Sequence, residues 1–154
     1  MAYDRDVVVN SLKRHYNVLV LMAYLDPAVI EYPPPSGWSD DQLAVEILRA
    51  LGRSEKVIDL LRHLPYLRES YSDERWQVYP ETRATSYLRD VGWFKGQTAE
   101  SCQGKNMLHL CLMPFDGDCP PGFIPLTYGR EATCWIIDTD EGALEAYRHA
   151  LKSV

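Results

Sequence analysis

The chain has 154 residues, 46% hydrophobic and 25% charged, which places it among globular proteins long enough to bury one sizeable core. Its 16 Lys and Arg against 22 Asp and Glu give a formal net charge of −6. That balance argues against nucleic acid as the main ligand, because phosphate recognition needs a basic face. The opening MAYDRD is mixed in charge, and the apolar run at 18–25 is too short to span a bilayer. The expectation is a soluble cytoplasmic or nuclear protein with no membrane partner. Its four cysteines, Cys102, Cys111, Cys119 and Cys134, are expected as reduced, mostly buried thiols.

Residues 4–25 carry apolar side chains at helical spacing: Val8, Leu12, His15/Tyr16, Leu19 and Ala23. Val18, Leu21, Met22 and Leu25 widen that face, so the helix is predicted to be well covered. It is expected to end at Asp26-Pro27, where the residue before proline disfavours the helical conformation. The following EYPPPSGW forces an extended connector, packed by Tyr32 and Trp38 or used as a recognition motif.

A helical pair follows. Ser39 with Gln42 three residues later reads as a capping box, and Leu43, Ile47 and Leu51 line one face. Gly52 suits a left-handed C-cap. Ser54 then caps EKVIDLLRHL, which stops before Pro65, so residues 39–65 read as an αα-hairpin.

After Pro65 the chain turns to Tyr, Trp, Thr and Val. Trp76, Val78 and residues 82–88 suggest strands. A helix is predicted over 98–112, weakened by Gly104, with Met107, Leu108, Cys111 and Leu112 as its apolar face. Residues 123–128 and 133–138 read as two strands around the tip YGRE. TDEG is a turn, and 143–149 stays open between strand and helix. The sum is an α+β fold in one domain over 1–154. A helical part at about 4–65 packs on a mainly antiparallel sheet formed by the C-terminal half, about 66–150.

Catalytic signatures are sparse. His15, His63, His109 and His149 lie on different predicted elements. Cys102, His109, Cys111 and Cys119 lack the two-to-four-residue knuckle of a structural zinc site, so neither metal nor cofactor is expected. DTDEG at 138–142 fails the calcium-loop template, since Gly142 falls at position five and His149 at twelve counting from Asp138. If a reaction occurs, it would use a pocket between sheet and helices, with His63 or His109 as acid/base and Glu131 or Asp138 as partner.

Ten Tyr and four Trp are many for this length, and such rings favour binding surfaces. The predicted binding face combines Tyr128, Arg130, Glu131 and Trp135, with Trp38. It would serve a protein partner, and exposed strand edges also allow self-association into a homo-oligomer.

The segment 119–147 resembles the Smi1/Knr4-like (SUKH) superfamily. The residues carrying the likeness are Phe123, Ile124, Pro125, Trp135, Ile136, Asp138 and Gly142. Ala50-Leu51-Gly52 and Leu64-Pro65 echo parts of its N-terminal signature. The resemblance implies an α+β fold, a protein-binding role in immunity or regulation, and no catalytic residues.

Overall fold

The computed structural model describes residues 3–68, 77–105, 119–129 and 132–148, with residues 147 and 148 as backbone only. The fold is α+β. Helix α1 (Arg5–Leu21) comes first, capped by Asp4, whose carboxylate accepts from the backbone N–H groups of Asp6 and Val7. The α2 (Val45–Ala50) and α3 (Glu55–His63) helices form the expected pair. Ser54 caps α3, and Gly52 sits between them at a φ of 76°, in the left-handed region. A four-residue helix α4 (Ala99–Cys102) starts at a capping box made by Thr98 and Ser101.

Three small antiparallel sheets complete the fold. Strands β1 (Ile30–Glu31) and β2 (Tyr66–Leu67) pair with each other, tying the connector after α1 to the end of α3. A second sheet has the order β3 (Gln77–Tyr79), β4 (Thr82–Ala84), β6 (Thr127–Tyr128). The third has the order β5 (Phe123–Pro125), β7 (Thr133–Asp138), β8 (Ala143–Arg148). Residues 143–148 are thus strand, paired in register along β7 from Thr133↔Arg148 to Asp138↔Ala143.

The main core joins the two parts. Ile47 and Leu48 of α2, Leu51 at its C-cap, and Val57, Ile58, Leu60 and Leu61 of α3 pack with Tyr87, Phe94, Ile124 and Ile136. Each such aliphatic side chain contributes about 2 kcal/mol by burial. The hydroxyl of Tyr87, fully buried, donates to Pro125 O at 2.5 Å.

Several boundaries differ from the sequence expectation, each for a physical reason. Helix α1 ends at Leu21, before Asp26-Pro27. Ala23 adopts a φ of 54°, and the N–H groups of Ala23 and Tyr24 donate to Val20 O and Leu19 O. That is a Schellman ending with alanine where glycine is usual. Asp26 instead caps a single 3₁₀ turn over Pro27–Val29.

The α1 helix is also less covered than predicted. At about 100° per residue, Val9, Leu12, Tyr16 and Val20 share one side, while Val7, Val18 and Leu21 lie on the opposite one. Tyr16 packs with Leu25, Ile30 and Val78, whereas Val18, Leu21 and Met22 are 46%, 86% and 70% exposed.

Helix α2 starts at Val45 rather than after Ser39. The Ser39–Gln42 reciprocal bonds form, but the backbone at 42–44 is then taken by residues 87–89. Leu43 bridges Leu88, Ala44 N donates to Tyr87 O, and Arg89 N donates to Gln42 O. Likewise, residues 123–128 are not one strand. The register with β7 ends at Pro125↔Ile136; Leu126 N still donates to Trp135 O of β7 while its carbonyl accepts from Thr85 N, and the chain switches sheets there. The apolar face assigned to Met107, Leu108, Cys111 and Leu112, and the strand residue Trp76, lie outside the described residues.

Candidate functional site: a groove between α1 and the C-terminal sheet

Helix α1 crosses the outer side of the β5–β7–β8 sheet. Between them lies a cavity of about 390 Å³. Tyr3, Val8, Leu12 and His15 form its helical wall, and Leu126, Trp135 and Ile137 its strand wall. Val7 and Leu144 stand at the rim, 59% and 62% exposed. A cleft of this size with a few polar groups on apolar walls is the usual form of a small-molecule site.

Trp135 is held from both its backbone and its ring. Its N–H donates to the Thr127 hydroxyl at 2.8 Å, and that hydroxyl donates to Thr133 O at 3.1 Å. Thr127 therefore links β6 to β7, strands of different sheets, through its side chain. Thr82, also buried, accepts from Thr133 N at 3.1 Å and stitches the β3–β4 turn to the same strand. The indole packs edge-on against His15, centroids 5.3 Å apart, and against Tyr79 at 6.2 Å.

Removing the Thr127 hydroxyl tests this arrangement. Thr127→Val keeps the shape but removes the hydroxyl partner of the part-buried Trp135 N–H and Thr133 carbonyl. It is expected to cost about 2 kcal/mol in urea unfolding and to shift tryptophan emission. An unchanged unfolding midpoint would show that the hydroxyl bridge is dispensable.

His15 Nε2 lies 2.9 Å from Val78 O. A carbonyl only accepts, so Nε2 donates its proton there. At the other end of the groove, the Tyr3 hydroxyl is out of contact with solvent and has no hydrogen-bond partner among the described residues. Burial pushes Tyr3 up to about 12, and Asp59, Asp4 and Asp6 act in the same direction against Arg5. Tyr3 is thus a neutral donor in an acid-rich corner.

The residues selected from sequence are distributed as follows. Trp135 lies in the groove wall. Tyr128 is half-buried on β6, paired with Arg83 of β4. Trp38 is placed in the main core rather than on an exposed face: it is 8% exposed, donates its indole N–H to Leu64 O and packs on Tyr66. Arg130, Glu131 and His109 lie outside the described residues.

No acid/base pair forms between His63 and Asp138. His63 Nδ1 is 2.8 Å from Asp59 O on its own helix, and the Asp59 carboxylate is taken by Arg5 at 3.1 Å. Asp138 is buried and caps the β7–β8 turn, accepting from the backbone N–H groups of Asp140 and Glu141. DTDEG is a hairpin turn, closed by Gly142 at a φ of 71°. Among the described residues, no three His, Cys, Asp or Glu side chains are grouped to hold a metal ion. Cys102, Cys119 and Cys134 are free and buried. No described helix is long and apolar enough to cross a membrane.

Sequence reasoning missed Tyr3 and His15 as site residues. The helical period placed His15 on the buried face of α1, but nothing local pairs it with Trp135, 120 positions away in the chain. No protein-family model, curated protein or solved structure matches this chain.

Proposed function

We propose that this protein is an interaction module that recognises a protein partner and carries no catalytic activity of its own. The observation that carries this reading is the apolar surface at the end of α1. Val18, Leu21 and Met22 project outward there, followed by the half-exposed Tyr24 and Tyr32. Apolar side chains collected in one place on a surface mark contact sites, and tyrosines at the edge add polar handles. The separate partners of His63 and Asp138 support the same reading, as does the Smi1/Knr4-like resemblance over 119–147.

Leu21→Glu together with Met22→Glu tests it. Both side chains are mostly exposed, so the fold is expected to lose less than about 1 kcal/mol. Proteins captured from the source cell by the wild type at a fixed stoichiometry should fall by about tenfold or more with the double variant. Sedimentation of the pure protein tells a second copy of this chain from a foreign partner. Equal capture by both proteins, with equal sedimentation, would remove this surface as the contact.

A further inference from the structure

Resting on the interaction-module reading above, we propose that the outer face of α1 docks an amphipathic helix of a foreign protein. That helix carries apolar side chains at heptad spacing and, midway between them, a carboxylate that pairs with Arg14.

The face is a seam along the helix. Val7, Arg14 and Leu21 recur at every seventh position of α1 and fall close to one line, with Val18 beside it. All four are exposed, whereas Val9 and Tyr16 on the opposite side are buried. From Val7 to Leu21 the seam runs about 21 Å at the helical rise. A repeat of seven with apolar ends is the pattern by which one helix packs along another.

Arg14 selects the occupant, because it stands at the middle of the seam. Arg5, Arg49, Arg62, Arg68 and Arg89 each pair with a carboxylate, and among the described residues Arg14 pairs with none. A helix laid along the seam covers that guanidinium, and a covered charge without a counter-charge is costly. The occupant must therefore bring a carboxylate to this point. A second copy of this chain cannot. Whether two α1 helices run parallel or antiparallel, the register that joins their apolar ends sets one Arg14 against the other. A lipid surface also fits poorly. The chain carries a net charge of −6, and the exposed Asn10 and Asn17 beside the seam would lose their hydration in it.

The experiment is fluorescence anisotropy of the full chain with two labelled synthetic helices of about four turns. Both carry Leu at heptad positions around a central site, which is Glu in one and Lys in the other. The Glu helix is expected to bind saturably, and the Lys helix about tenfold or more weakly, because like charges across an interface are strongly unfavourable. Arg14→Glu, an exposed change expected to leave circular dichroism unaltered, should reverse the preference. Leu21→Glu should weaken both. Absence of saturable Glu-helix binding overturns the proposal, as does a preference that Arg14→Glu leaves in place. So does a wild-type chain that sediments as a Leu21-dependent dimer, or that phosphatidylserine vesicles carry down through Leu21 and Met22, since each puts a different occupant on the seam. The interaction-module reading fails separately, when Leu21→Glu with Met22→Glu leaves capture of cellular proteins unchanged. Capture that is lost with that pair but kept with Arg14→Glu retains the module and removes the acidic helix.

Discussion

Arg53→Met is expected to lower the free energy of unfolding by about 4 kcal/mol, one of the largest single effects in this protein. Arg53 is only 5% exposed, yet among the described residues its partners are backbone carbonyls and a thiol, not carboxylates. Its guanidinium lies among backbone carbonyls instead. Nη1 donates to Pro120 O at 2.8 Å and Phe123 O at 2.7 Å, and Nη2 donates to Cys119 O at 3.0 Å. Nη1 also approaches Cys119 Sγ at 3.0 Å. Burial raises the Cys119 thiol above its usual range, with Arg53 pulling the other way.

The consequence is a latch. The turn between α2 and α3 grips the loop that leads into β5, helped by Ser54 N donating to Pro121 O. The same loop is held from its far side by Thr139, whose N–H and hydroxyl both donate to Gly122 O. Methionine fills much of the space but removes the guanidinium donors from Pro120 O, Phe123 O and Cys119 O, and buried acceptors that lose a charged donor are costly. Arg53→Lys should lie in between, because an ammonium cannot span the same fan of acceptors. Urea unfolding of the three proteins gives the order directly. If Arg53→Met falls within about 1 kcal/mol of wild type, the latch is not a main support of the fold.

Local chemistry was legible in the sequence where it decides structure alone. The αα-hairpin, with Ser54 and Gly52 at its turn, needs only caps and a 3.6-residue period. Strand β7 needs only alternation and turn residues, whereas residues 143–148 read equally as helix or strand until their pairing along β7 decides them. What escaped was set by distant parts of the chain. Ser39 and Gln42 made their reciprocal bonds, but residues 87–89 captured the next backbone groups and delayed α2 to Val45. Nothing around residues 123–128 announces a change of sheet. That change depends on β4 and on the Thr127 hydroxyl meeting Trp135. Trp38 and Trp135 both read as aromatic binding candidates. Their different environments come from what packs over them, Tyr66 for one and His15 for the other. The groove itself is a property of α1 lying on β7 and β8, and no segment by itself encodes it.

Gly129→Ala is expected to cost about 3 kcal/mol or more, by collision added to the strain of a φ that residues with a Cβ rarely adopt. Gly129 follows β6 with a φ of 155°. A Cβ there would run into the backbone carbonyl oxygen of Glu81 and lie 2.8 Å from Ala132 Cβ. Neither neighbour gives way easily. Ala132 is fully buried, and Glu81 sits in the tight β3–β4 turn, already at a φ of 57°. The chain must therefore pass close under that turn for β6 to pair with β4, and for Thr127 to reach Trp135. Gly52→Ala is the control. Its φ of 76° is also left-handed, but nothing lies within 4 Å of a Cβ there, so only the intrinsic strain of about 1 kcal/mol applies. The gap between the two variants measures the close approach at 129. Because that approach positions the strand carrying Trp135, Gly129→Ala should also shift tryptophan emission, whereas Gly52→Ala should leave it unchanged. Equal costs for the two substitutions would mean that Glu81 can retreat, and that the groove wall does not depend on the tightness of this turn.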